Sequence, residues 1–418
     1  MMKEKKNLEF KENIDTNSYL KTISAFANYG NGSIIFGITD AGDVVGVSDP
    51  QTVCLNLENR INDSIKPAPD YTLEIQEDST IRLTVYEGVY KPYLYKGKAY
   101  TRHDTSTVEV DRLSYMRLIL EGSNQTFEEL PSEKQDLTFS ILEKEFIQTM
   151  GIKELNQDVM KTLELYSDKD GYNHAAALLA DRNEFKGIDI IRFGDTIDEI
   201  MERESFEGIS ILSQLNKSAD MFRKYYQYER IESTERKLVD KIPEKAFREA
   251  IANALVHRTW DVKASIRVSM FQDRIEISSP GGLSPGISQE EYLHGQVSIL
   301  RNPILGNVFF RLKYIEKFGT GILRINHAYA DSIEKPSYRI FENSIQVVLP
   351  LLKSAESLTG FEKEILNLLR QHNAMSRAEI SSKTGLEKGK TLRILNGMLA
   401  KNIILKQGST RSVKYSLK

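Results

Sequence analysis

The segment NLEFKE, residues 7–12, alternates Leu8 and Phe10 with Glu9 and Lys11, the period-2 pattern of a strand with one buried face. The stretch TNSYLKTISAFANYG then reads as a helix ending on Gly30, followed by strands GSIIFGI and VVGV around a turn at 40–43. TIRLTVYEG and YLYKGKAYTR continue as short strands, and RLSYMRLILEG closes with a helix ending at Gly122. Residues 1–122 therefore form a first, mixed domain, separated by the polar linker SNQTFEELPSEKQD. Residues 136–235 read as a mostly helical connecting segment with one strand, IDIIRF. Residues 236–352 carry the helix PEKAFREAIANALVHR, strands SIRVSMF and RIEISS, a Gly/Pro loop, a helical stretch and the strand SIQVVLP. In residues 361–418, FEKEILNLLRQH is amphipathic, SRAEISSKTG opens on a serine cap, and EKGKTLRILNGMLAKN makes a third helix. IILKQGSTRSVKYSL adds two strands around Gln407-Gly408-Ser409. The expected fold class is multidomain α/β (α+β), ending in a winged helix-turn-helix.

Length agrees, since 418 residues exceed one ordinary core and imply two to four domains. The chain has no apolar run near the roughly 18 residues of a membrane span, and its start lacks the apolar core of a signal peptide. Its single cysteine, Cys54, excludes an internal disulfide and a cysteine zinc cluster, so a cytoplasmic setting without membrane attachment is expected.

Net charge is −3, but it is unevenly placed: from Phe361 onward there are 12 Lys/Arg against 4 Glu. A cationic module on an acidic protein suits the phosphate backbone. In a winged helix the third helix enters the major groove, so Lys388, Lys390, Thr391 and Arg393 are expected to face DNA, with Arg411 and Lys414 on the wing. The alternative is a winged helix used for dimerisation. GLEKGKT, residues 385–391, is not a P-loop: it has one residue too few between its glycines, and a helix rather than a strand precedes it.

Glu249 and Asn253 stand at i and i+4 in REAIANALVHR and share one helix face. An amide oxygen there can ligate Mg²⁺, and a carboxylate one turn away can orient or deprotonate a water. Downstream, SPGGLSPG and EKFGTGI are glycine loops whose backbone N–H groups can approach phosphates. With RNPILGNVFFRLKYIEKFGTGI, this part resembles the GHKL (Bergerat-fold) ATPases, in the divergent form found behind Schlafen AlbA-type domains in bacterial regulators. The resemblance implies ATP as ligand, Asn253 as Mg²⁺ ligand and Glu249 as water activator. It also places Gly281, Gly282, Gly319, Thr320 and Gly321 in the nucleotide loops. Ser279 stands where these ATPases usually carry an aspartate that reads the adenine amino group. His257 and Arg258 follow on the same helix, and a structural role is expected for His257.

LEFKE together with TISAFANYGNGSIIFGITDAGDVVGV closely resembles the Schlafen AlbA-type domain over residues 4 to about 120. Some members of that family cut RNA with three carboxylates. Glu4 and Glu9, followed by Phe10 and Lys11, fit the pattern for two of them. Around the third place stand Thr39 and Asp40, so that ligand is offset by one residue or absent. Such carboxylates around Mg²⁺ or Mn²⁺ activate a water at a phosphodiester, and Lys11 would steady the developing charge. The alternative is that Glu9 and Lys11 simply face solvent on an edge strand. Two functions remain open: a DNA-binding, homo-oligomeric transcriptional regulator controlled by ATP, or a metal-dependent nuclease acting on RNA or single-stranded DNA.

Overall fold

The computed structural model describes residues 3–39, 41–232, 235–284, 286–295, 299–316, 319–353, 358–400, 403–408 and 413–417. It is a mixed α/β protein of two compact units, residues 1–127 and 128–418. Asp40 and Arg411 lie outside the described residues.

In the first unit, strands Leu8–Lys11, Gly32–Phe36, Ile81–Val85 and Tyr71–Ile75 form one sheet in that order. The first two pair in parallel, with Phe10 opposite Ile35, because the helix Ser18–Tyr29 crosses between them. Helix residues Tyr19, Leu20, Ile23 and Phe26 bury against Ile34, Phe36, Ile81, Leu83 and Val85 in a single core. The helix Pro50–Ser64 adds Leu57 and Ile61 to it. Its start carries the ordinary signals of a proline in the first turn and an Asp49 cap that accepts from the Thr52 N–H at 3.4 Å. The expected strand at VVGV reduces to one isolated bridge between Ile38 and Val44.

The second unit is built on a six-stranded sheet ordered Ile200–Phe206, Ile188–Phe193, Ile266–Met270, Arg274–Pro280, Ser344–Pro350 and Ser337–Ile340. Alternation buries Ile188 and Ile190, then Ile266, Val268 and Met270, then Ile275 and Ile277. Helices Ile211–Tyr226 and Glu244–His257 pack together, with Phe222 stacked on Phe247 at 4.6 Å between ring centres. The segment 136–235 is thus less helical than its sequence suggests. It supplies two strands of this sheet and one strand, Gln227–Glu232, of a separate hairpin with Glu235–Asp240. At the chain end, helices Gly360–Gln371, Arg377–Thr384 and Lys388–Ala400 enclose a small core with three strands. Those strands are Ala374–Ser376, Lys414–Leu417 and Ile404–Gln407, in that order. Two of these helices begin with capping boxes, Thr359 with Glu362 and Ser376 with Glu379.

Among the described residues no helix is long and apolar enough to cross a membrane.

Candidate functional site

The helix Glu244–His257 is rich in alanine, and Ala250, Ala254 and their neighbours bury one side of it. Glu249, Asn253 and His257, spaced four apart, instead line a cleft. Its other walls include Gly282–Ser284, Ile299–Arg301, Ile315–Glu316, and Gly319, Gly321 and Ile322 around the start of the helix Gly321–Ala328. That helix points its N-terminus at the carboxamide and the carboxylate. A Cβ added to Gly321 would lie 2.4 Å from Asn253 Nδ2 and 3.0 Å from Glu249 Oε1, so only glycine permits the approach.

Two features at this helix start fit an anionic ligand. Thr320 caps the helix without a side-chain hydrogen bond, and its buried Oγ1 has no partner among the described residues. Across the cleft the Gly281-Gly282 loop is held close to the protein. A Cβ on Gly281 would meet Thr259 Oγ1 at 2.1 Å, and one on Gly282 would meet the Glu342 carbonyl oxygen at 2.1 Å. Arg301 ties this wall together, donating to Thr259 Oγ1 at 2.7 Å, the Gly282 carbonyl at 2.9 Å and the His257 carbonyl at 3.1 Å.

The Asn253 amide nitrogen points toward Glu249 Oε1 at 3.5 Å, which leaves the amide oxygen for a cation. Burial raises the Glu249 pKa above the ordinary carboxylate value, opposed by Arg324, Asn253 and Lys245. Burial, with the neighbouring Arg301 charge, lowers His257 to about 4, so its ring is neutral in the cleft at physiological pH. His257, for which a structural role is expected, also borders the cleft. Ser279 faces the same helix, and its hydroxyl donates to the Ala254 carbonyl at 3.1 Å.

Arg258, which ends the helix, is almost fully buried and stacks 4.1 Å from the Trp260 ring centre. It donates to the carbonyls of Lys186, Gly187 and Ala264, locking the helix end to the sheet.

In the first unit, Glu4 and Glu9 come to the same strand but are already engaged. Glu4 accepts the Phe10 N–H at 2.8 Å. Glu9, only 5% exposed, pairs with the buried Arg102 and with Lys11 at 2.7 Å. The strand is therefore buried on both faces, not polar on one. Among the described residues no group of three or more His, Cys, Asp or Glu is placed to hold a metal ion. Neither Arg102 nor its link to Glu9 is visible locally, because 93 residues separate the two.

In the last unit Lys388, Arg393 and Lys414 are exposed. Lys390 is exposed too, and its ammonium lies 4.1 Å from the Phe361 ring centre. Thr391 does not face outward. It is fully buried, and its hydroxyl bonds Ser381 Oγ at 2.9 Å and the Glu387 carbonyl at 3.0 Å, joining the second helix to the third.

The fold is mixed α/β, and the cleft lies in its second unit. Residues 4–111 match the Schlafen AlbA_2 family, and residues 263–349 match a family described as the C-terminal part of the ATP-dependent DNA helicase recG. The chain thus carries a segment similar to the Schlafen AlbA_2 family and a second segment similar to an ATPase-like family. No curated protein matches it. Among solved structures, the DIP2311 protein of Corynebacterium diphtheriae is similar in fold over 99% of this chain and 92% of that one, at 18% identity and a TM-score of 0.51.

Proposed function

We propose that this protein is a DNA-binding regulator whose state is set by ATP bound in the second unit. The observation that carries the nucleotide half is the meeting of Glu249 and Asn253 with the uncapped helix start at Thr320-Gly321. Asn253 would hold the Mg²⁺ of the nucleotide, Glu249 would orient or deprotonate a water, and the helix start with the Gly281-Gly282 loop would receive phosphates. When bound, Mg²⁺–ATP supplies a phosphoanhydride whose charge the metal neutralises. With the Ser279 hydroxyl already donating to Ala254, that side chain offers lone pairs rather than a carboxylate to a base.

The DNA half is supported by the C-terminal segment, where three helices and three strands suit a winged helix-turn-helix and carry a strong positive charge. The nuclease reading draws less support, since Glu9 is neutralised by Arg102 and Lys11.

The test is Asn253→Ala in the full chain, titrated with a fluorescent ATP analogue with and without Mg²⁺. Affinity with Mg²⁺ is expected to fall by about 100-fold, the upper range for losing even an outer-sphere metal partner, while the thermal melt without nucleotide stays unchanged. Equal binding by a folded variant would remove the assignment.

A further inference from the structure

We propose that the outward face of the helix Lys388–Ala400 reads base edges in the major groove, with Arg393 and Asn396 as the specificity-determining side chains. This rests on the DNA-binding reading of the last unit and assigns its sequence preference to named residues.

The helix divides cleanly by exposure. Thr391, Leu395 and Met398 are buried, while Gly389, Leu392, Arg393 and Asn396 are exposed at i, i+3, i+4 and i+7, a single stripe on the opposite side. A helix face that merely meets water usually carries charges of both signs. This one differs in three ways. The helix has no acidic residue along its whole length, so nothing on it repels phosphate. Leu392 is 41% exposed in the middle of the stripe, an apolar group presented to solvent among polar neighbours. Gly389 and Gly397, where an added Cβ would meet no atom within 4 Å, weaken the helix without any packing need for glycine. Exposed Gly389 leaves bare backbone at the start of the stripe, where another macromolecule can approach closely, while Gly397 is half-buried beyond its end.

The side-chain chemistry selects the partner. Arg pairs in a two-pronged way with the acceptor edge of guanine, Asn pairs likewise with the edge of adenine, and an apolar group suits the thymine methyl. Arg393 and Asn396 are three residues apart, about 4.5 Å along the helix axis. That is close to the spacing of about 3.4 Å between successive bases, so the two side chains address neighbouring base pairs. Lys388 at the helix start, exposed and flexible, fits a phosphate contact instead. The buried Thr391 acts behind the stripe, its hydroxyl fixing how far the helix stands out from Arg377–Thr384. Duplex DNA is favoured over a protein partner because the unit has 12 Lys/Arg against 4 Glu and no Asp from Phe361 onward.

The experiment is selection of preferred duplexes from a random pool by the full-length protein, followed by titration of Arg393→Ala, Asn396→Ala and Lys388→Ala. The selected site should contain a guanine next to or one step from an adenine. Asn396→Ala should lose about tenfold or more on that site and stop discriminating at the A·T pair, and Arg393→Ala should do the same at the G·C pair. Lys388→Ala should weaken every sequence alike and shallow the salt dependence by about one counterion. If Arg393→Ala and Asn396→Ala keep the wild-type base preference at every position while duplex binding persists, base reading by this face is wrong and the DNA-binding reading stands. If the wild type binds no duplex at low salt, the DNA-binding reading fails and this assignment with it.

Discussion

Arg102→Leu is expected to lower the unfolding free energy by about 3–5 kcal/mol, the cost of breaking a buried ion pair from one side. Arg102 and Glu9 are each 5% exposed, and the guanidinium also donates to Thr107 Oγ1 at 3.2 Å. Removing it leaves the buried Glu9 carboxylate with Lys11 as its one remaining ion-pair partner among the described residues, and Lys11 stands nearer to solvent. The double change Glu9→Leu with Arg102→Leu should recover most of the loss, because no lone charge is then buried. Urea unfolding followed by circular dichroism measures both. A loss under about 1 kcal/mol in the single variant would mean that Lys11 alone satisfies Glu9. The same pairing complicates any cleavage assay on Glu9→Gln, because lost activity there is interpretable only if the variant melts like the wild type.

Glu128→Ala should cost about 3 kcal/mol, through a different mechanism. Glu128 is fully buried, and its two carboxylate oxygens accept the backbone N–H groups of Ile304 at 2.5 Å and Leu305 at 2.9 Å. These begin the helix Pro303–Arg311, whose own N-cap, Asn302, uses its side chain elsewhere, on the Val256 and Arg258 carbonyls. The variant leaves two buried donors unsatisfied, each worth about 1–3 kcal/mol. Burial, opposed by those two N–H groups, raises the Glu128 pKa from its ordinary value of 4.5 to about 8. Its folded pKa lies above its unfolded one, so its contribution is fully present below pH 4.5 and is lost as pH rises through about 8. Wild-type stability should therefore fall between those values by at most about 1.4 kcal/mol per pH unit relative to Glu128→Gln, which cannot titrate. Parallel pH profiles for the two proteins would show that the carboxyl is ionised throughout.

That the cleft residues meet was legible because their signal is local. Glu249 and Asn253 share a face through helix spacing alone, and Gly281, Gly282 and Gly321 mark backbone that must come close. What escaped depends on partners distant in sequence. Glu128 caps a helix 176 residues away. Glu9 reads from its strand as either a metal ligand or a solvent-facing residue, yet Arg102 reaches it from the hairpin Tyr100–His103 with Ser106–Glu109. The strand Ile200–Phe206 is highly charged and carries no apolar alternation; its pairing with Ile188–Phe193 decides its conformation. Thr391 was misassigned because a threonine among lysines reads as surface, whereas the helix turns it inward.

The route of the six-stranded sheet through the chain bears on how the protein can be dissected. A fragment trimmed to residues 236–352 would keep the cleft residues but discard Ile188–Phe193. The strand Ile266–Met270 would then become a raw edge, with Ile266, Val268 and Met270 stripped of a neighbour. Unpaired apolar edges recruit other chains, so such a fragment should precipitate or swap strands rather than fold as a soluble unit. A cut before Glu128 retains both extra strands and the capping carboxylate, and is the place to divide the molecule.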